Sequence, residues 1–293
     1  MGEFVSYLIS GISLGMIYAL IALGYTMVYG IAKMLNFAHG DIIMAGGYAA
    51  FFAVAAAGMP SIAAVLLAVI ICTVLGIVIE RVAYKPLRSA SSLSVLITAI
   101  GVSYLLQNLA LLFFGSNARQ FTSVVHVPSI KLGKSIVVTG ETSVSIIVTL
   151  ILMIALTLFV NKTKQGRAMQ AVSEDRGAAE LMGIDVNKTI SLTFAIGSAL
   201  AGVAGVLLCS AYPQISPYTG QMPGIKAFIA AVFGGIGSIP GAMLGGILLG
   251  LIEIFSKAYI STQLSDAIVF MVLILCLVVK PNGILGKKRT EKV

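Results

Sequence analysis

Long apolar runs separated by short polar breaks fill most of the chain. A helix that spans a bilayer needs about 20 predominantly apolar residues. Runs at residues 4–28, 35–57, 62–79, 93–114, 144–160, 190–209, 239–255 and 267–279 approach that length. The pattern predicts an all-α fold, a polytopic transmembrane helical bundle that occupies residues 1–293 as one domain. Only Gly2 and Glu3 separate Met1 from the first run. That run is too long for a signal-peptide core and has no basic segment before it, so it reads as a retained span.

Two breaks differ from ordinary loops. Asn36-Phe37-Ala38-His39-Gly40-Asp41 precedes an apolar run containing Gly46 and Gly47. Gly234-Gly235-Ile236-Gly237-Ser238-Ile239-Pro240-Gly241 precedes one containing Gly245 and Gly246. Interrupted segments at matching places in two halves point to a transporter's binding site, so this pairing suggests an internal duplication. Residues 224–235 are too short to span alone, and Pro240, lacking an amide proton, breaks a continuous helix. A broken or re-entrant helix is expected over residues 224–255, lining a pathway or forming a structural kink. Most other intramembrane glycines read as sites of close helix crossing, because lipid offers no hydrophobic drive for association. Residues 121–127 and 135–139 are β-prone, with turn signals at Pro128, Gly133 and Gly140. They predict a small β-hairpin-like insertion over residues 115–143.

Composition excludes the soluble classes. Hydrophobic residues make up 58% of the chain and charged residues 10%, against about 25% charged in soluble domains. Mean hydropathy is +1.03. A net charge of +8 raises the question of a nucleic-acid partner, but the basic residues gather beside spans. They are Arg81, Lys85 and Arg88; Lys162, Lys164, Arg167, Arg176 and Lys188; and Lys280, Lys287, Lys288, Arg289 and Lys292. Short loops of this kind face the cytoplasm. The charge therefore sets topology, no nucleic-acid partner is implied, and the 115–143 insertion falls outside. The C-terminus falls inside. The N-terminus falls outside by simple span count, or inside if the second segment is re-entrant.

Polar groups within spans are costly and are functional candidates by default. The candidate substrate pathway comprises Asn36, His39, Asp41, Gly46, Gly47, Gln107, Asn108, Gly234, Gly235, Gly237, Ser238 and Pro240. His39 and Asp41 are placed to face each other or solvent, although Asp41 also reads as an ordinary N-terminal helix acid. Gln107 and Asn108 suit interhelical hydrogen bonds, and Glu253 and Asp266, near span ends, read as interfacial. His39 and His126 are far apart with no cysteine near either, so no metal site is expected. Cys72, Cys209 and Cys276 read as apolar packing residues. No nucleophilic triad stands out, which argues against an enzyme. Gly133-Lys134-Ser135 is similar to the end of a P-loop, but Pro128 stands where that motif requires glycine. The chain is expected to bind no cofactor, and any ATP and magnesium belong to other chains.

The longest polar break on the cytoplasmic side is residues 161–189. Ser173 is placed to cap a short helix with Glu174 and Asp175 in its first turn. Gly183 is placed to end it, and Leu181, Met182 and Ile184 offer apolar contacts. The segment reads as a docking element built from Glu174, Asp175, Arg176, Ala178, Ala179, Glu180 and Gly183. Its alternative is a solvated loop resting on the headgroups.

Asn36-Phe37-Ala38-His39-Gly40-Asp41, Glu80-Arg81-Val82-Ala83-Tyr84-Lys85-Pro86-Leu87-Arg88, residues 174–183, residues 234–242 and Pro281-Asn282-Gly283-Ile284-Leu285-Gly286 occur in this order. Together they resemble the membrane permease subunit of the branched-chain amino acid ABC importers, specifically the shorter of the two permeases. The resemblance covers nearly the whole chain. It implies a multi-pass protein of the bacterial inner membrane that translocates leucine, isoleucine and valine within membrane lipid. It also implies a second homologous permease, two cytoplasmic ATPase subunits that hold ATP and magnesium, and a periplasmic substrate-binding protein. The 161–189 segment would be the ATPase-coupling element. It departs from the Glu-Ala-Ala order of other importers, since it reads Ala178-Ala179-Glu180. Related permeases import urea, short-chain amides or other amino acids, and a stand-alone secondary transporter also uses broken helices. Both remain alternatives at this point.

Overall fold

The computed structural model describes residues 2–88, 90–132 and 136–286. The Gly133-Lys134-Ser135 turn and the basic tail at Lys287, Lys288, Arg289 and Lys292 lie outside the described residues. The fold is a helical bundle of α1 (Gly2–Ala32), α2 (His39–Ala55), α3 (Ser61–Ile79), α4 (Ser92–Phe114), α5 (Gly140–Lys162), α6 (Lys164–Glu174), α7 (Arg176–Leu181), α8 (Val186–Ala211), α9 (Gln221–Gly234), α10 (Ile239–Tyr259) and α11 (Ser265–Val279). Among the described residues six helices are long and apolar enough to cross a membrane: α1, α3 with its continuation to Leu87, α4, α5, α8 and α10. The runs at 35–57 and 267–279 form shorter helices. In the first of these, residues 35–38 are not helical and α2 begins only at His39.

The described part of the insertion contributes strands to two small antiparallel pairs. β1 (Arg119–Gln120) pairs with β4 (Gln214–Ile215), and β2 (Ile130–Leu132) pairs with β3 (Ile136–Val138). The hairpin is therefore present, but the β-prone run at 121–127 is not a strand. Phe121 and Val124 are drawn instead into a buried cluster with Met44 and Tyr48.

The β1–β4 pair joins the C-terminal ends of α4 and α8 at one face. The opposite face carries α6, α7 and most of the loop cations, and is cytoplasmic. Arg176, on α7, donates a hydrogen bond to the carbonyl of Ala32. Helix α1 thus ends on the face that carries α6 and α7, and α2 returns the chain toward the opposite face.

The bundle contains two halves of opposite sense, α1–α4 and α8–α11. α1 packs along α10 as α8 packs along α3, and α9 lies on α1 and α10 as α2 lies on α8 and α3. The register is shared: the step from Tyr18 to Ser191 equals the steps from Glu80 to Glu253 and from Ser92 to Ser265, the first residues of α4 and α11. The duplication suggested by the two glycine breaks is therefore real but differently paired. The counterpart of α10 is α3, whose outer end starts at Ser61 after a break of its own at Gly58, with φ +59°, and Pro60.

Small residues let these helices approach, since association in lipid depends on close packing. A Cβ at Gly15 would lie 2.7 Å from the Ile247 Cα, and one at Gly246 would lie 2.7 Å from the Ala19 Cβ. The N-terminal ends of α2 and α9 also meet: a Cβ at Gly224 would lie 2.9 Å from the Gly40 Cα. α9 and α10 form an antiparallel helical hairpin rather than one kinked helix over 224–255. Ser238 caps α10 by accepting from the Gly241 amide at 3.2 Å, with Pro240 in the first turn where no amide donor is needed.

Candidate functional site

The proposed pathway residues divide into two groups. Asn36, His39, Asp41 and Gln107 come together in the interior around the start of α2. Tyr84 donates to Asn36 Oδ1 at 2.9 Å, and Gln107 Nε2 donates to Asp41 Oδ1 at 2.9 Å. His39 and Asp41 neither face each other nor reach solvent. His39 is 1% exposed and packs its ring edge-on against Tyr25, 4.7 Å between centroids. Asp41 is 2% exposed and looks toward α4. Asn108 does not join them; it is exposed and donates to its own helix at the Tyr104 carbonyl. Asn36 Nδ2, His39 Nε2, Asp41 Oδ2 and Thr26 Oγ1 are buried without a hydrogen-bond partner among the described residues. Buried polar atoms without a partner are uncommon in native interiors. Gly46 and Gly47 serve packing, against Gly202 and against Cys209 and Ile215.

The second group is the break at 234–241. Gly235 and Gly237 hold φ of +108° and +94°, a region that favours glycine. The amides of Ile284 and Leu285 donate to the Phe233 and Gly234 carbonyls at 2.9 Å each, so the tail motif seals the end of α9. A Cβ at Gly235 would lie 2.7 Å from the Gly286 Cα, whereas one at Gly237 would meet only the Gly30 Cα at 3.8 Å. A bulky residue at Gly235 therefore disturbs tail docking and folding, and Gly237 is the position where a side chain probes the adjacent space, at the cost of its backbone preference.

A third site was not singled out from the sequence as functional. Glu253 is 2% exposed and interior, not interfacial. Its Oε2 accepts from Tyr18 at 2.8 Å, and its Oε1 pairs with Lys226 Nζ at 2.9 Å and Lys257 Nζ at 2.6 Å. Lys226 Nζ also pairs with Asp266 at 2.7 Å. Tyr212 stands within electrostatic reach of Glu253 and Lys226. Lys226 joined no basic cluster, yet a lysine within the apolar Gly224-Ile225-Lys226-Ala227-Phe228-Ile229 run is itself the signal.

On the cytoplasmic face the 161–189 segment is helical. Ser173 lies within α6 and bonds back to the Gln170 carbonyl, so it caps nothing. Asp175 is the cap of α7: its Oδ1 accepts from the Ala178 amide at 3.0 Å. Gly183, at φ +79°, ends the helix, and the Ile184 amide reaches the Ala179 carbonyl. Arg176 and Ala179 face this chain rather than outward. Ala179 is 3% exposed, and burial pushes the Arg176 guanidinium below its ordinary value. Leu181 and Met182 project outward at 90% and 82% exposure, with Glu174, Ala178 and Glu180 also exposed. Asp185 caps α8, and the Lys188 amide and side chain hold its carboxyl below the usual carboxylate range.

The chain matches the family described as the permease component of branched-chain amino acid transport systems over residues 7–277. It is 48% identical to the high-affinity branched-chain amino acid transport system permease protein LivH of Salmonella typhimurium, covering 99% of this chain and 98% of that protein. It is 47% identical to LivH of Escherichia coli K12 over the same shares, and 45% identical to BraD of Pseudomonas aeruginosa, again over 99% and 98%. A match that extends across both inverted halves and both breaks leaves no part of the bundle outside the likeness. The chain belongs to the family of permease components of branched-chain amino acid transport systems.

Proposed function

We propose that this chain is the membrane-spanning permease subunit of an ATP-binding cassette importer that carries leucine, isoleucine and valine across the bacterial inner membrane. The observation that carries this reading is the near-full-length identity to LivH and BraD, whose names state that substrate class. A second homologous permease completes the membrane unit, two cytoplasmic ATPases supply energy with ATP and magnesium, and a periplasmic binding protein delivers substrate. The chain itself carries out no hydrolysis.

The cytoplasmic face supports the ATPase partnership. Helix α7 is capped at both ends and anchored through Ala179 and Arg176, which leaves Leu181 and Met182 as apolar side chains that none of the described residues covers. The outer face, with its β1–β4 and β2–β3 pairs, is the place for the binding protein. The buried polar group around Asn36, His39 and Asp41 and the break at Gly237 border the path. In the transport step the binding protein supplies affinity, and the permease offers a largely apolar passage with a few dipoles.

The test is uptake of labelled leucine, urea and acetamide into vesicles containing the assembled importer and its cognate binding protein. Leucine uptake at a rate far above the other two is expected. Urea or acetamide uptake that exceeds leucine uptake would assign the chain to a different cargo.

A further inference from the structure

The inverted halves provide an internal control for the buried charges. On the cytoplasmic side Glu80, fully buried, accepts from Ser191 at 2.7 Å and pairs with Arg88. On the outer side Glu253 accepts from Tyr18 at 2.8 Å and pairs with Lys257. Tyr18 and Ser191 are counterparts, as are Glu80 and Glu253, so each half staples its third helix to the first helix of the other half. One carboxylate, one hydroxyl and one cation suffice for that structural task, as the inner staple shows.

The outer staple carries more. Lys226 on α9 and Asp266 at the start of α11 add an ion pair for which the inner staple has no counterpart. The Arg88 guanidinium on the inner side is 13% exposed, whereas the side chains of Asp266 and Lys257 are 44% and 33% exposed. Tyr212, 47% exposed, opens beside them. Ion pairs of this kind are weak contributors to stability compared with apolar packing, and charges at membrane depth are functional candidates. The excess pair is electrically neutral and presents one cation and one anion 2.7 Å apart; Asp266 opens to the outer face, and the Lys226 side chain, 7% exposed, lies behind it.

We propose that Lys226 and Asp266 form an entry site for a zwitterion, specifically the α-amino and α-carboxylate groups of a free amino acid. The carboxylate takes Lys226 and the ammonium takes Asp266, so that the ligand replaces the direct pair without leaving either charge uncompensated. Glu253, held by Tyr18 and Lys257, keeps Lys226 in place. The aliphatic side chain of the ligand makes no demand on this site. The inference rests on the proposed amino acid importer, and its test separates the two.

The test is saturation-transfer NMR on the complex of both permeases and both ATPases, without binding protein, using leucine, isocaproate (which lacks the ammonium) and isopentylamine (which lacks the carboxylate). Leucine is expected to bind about tenfold more tightly than either analogue, the scale of one lost charged hydrogen bond. Asp266→Asn should remove the preference for leucine over isocaproate and keep that over isopentylamine. Lys226→Gln should do the reverse. A merely structural pair would lower all three signals alike. Equal binding of leucine and both analogues to the unmodified complex overturns the site outright, whether or not either variant assembles. If labelled leucine is still imported in that case, the function stands and only the site falls. If no amino acid is imported, the importer reading falls first.

Discussion

Replacing Gly246 by leucine is expected to prevent stable assembly. The α1–α10 crossing is built on Gly11, Gly15, Gly246 and Gly250, and a Cβ at Gly246 would meet the Ala19 Cβ at 2.7 Å and the Ala19 Cα at 2.5 Å. The obstruction is mostly backbone and the first carbon of a side chain, so no rotamer change relieves it. Overpacking commonly costs about 1–3 kcal/mol, and an obstructed helix crossing lies at or beyond the top of that range. Loss of folded protein in a thermal-stability assay of the purified membrane complex checks this. Gly101→Leu is the comparison, because a Cβ there meets nothing within 4 Å and the site is exposed. It should retain the unmodified stability.

The second large effect concerns Leu181 and Met182. Burying each such side chain on docking stabilises by about 1.5–3 kcal/mol, so the pair supplies about 3–6 kcal/mol. Joint replacement by aspartate should weaken ATPase association by at least about 100-fold. The fold of α7 should survive, since its cap Asp175 and its buried Ala179 are untouched. Co-purification of the ATPases with the double variant measures this. Recovery of a normal ATPase complement would show that α7 is not the docking element, and Ala178→Trp, on the same exposed face, would show no effect either.

The helical class and the membrane character were legible in hydropathy alone, because lipid requires every backbone group to be satisfied within the segment. The ends of α7 were half legible. Gly183 announced the C-terminus, but Ser173 and Asp175 are both good caps, and only the continuation of α6 through Glu174 decides between them. The inward direction of Ala179 and Arg176 was hidden because a six-residue helix shows no periodicity by which to assign faces. The inverted repeat was obscured for a related reason. Glycine breaks catch the eye, whereas the true register lies in single residues such as Glu80 and Glu253 whose partners differ in type. The burial of His39 and Asp41 follows from how α2 packs on α8 and α3, with His39 against Tyr25 of α1 and Asp41 against Gln107 of α4, a long-range packing that no local pattern encodes.

The most direct test of the account is the energy source for leucine entry into vesicles containing both permeases, both ATPases and the binding protein. Uptake is expected to require ATP and to stop when the ATPases lack their nucleotide-binding lysine. This chain alone is expected to take up nothing under any ion gradient. Leucine accumulation by the single chain in ATP-free vesicles, driven by a proton or sodium gradient, would contradict it.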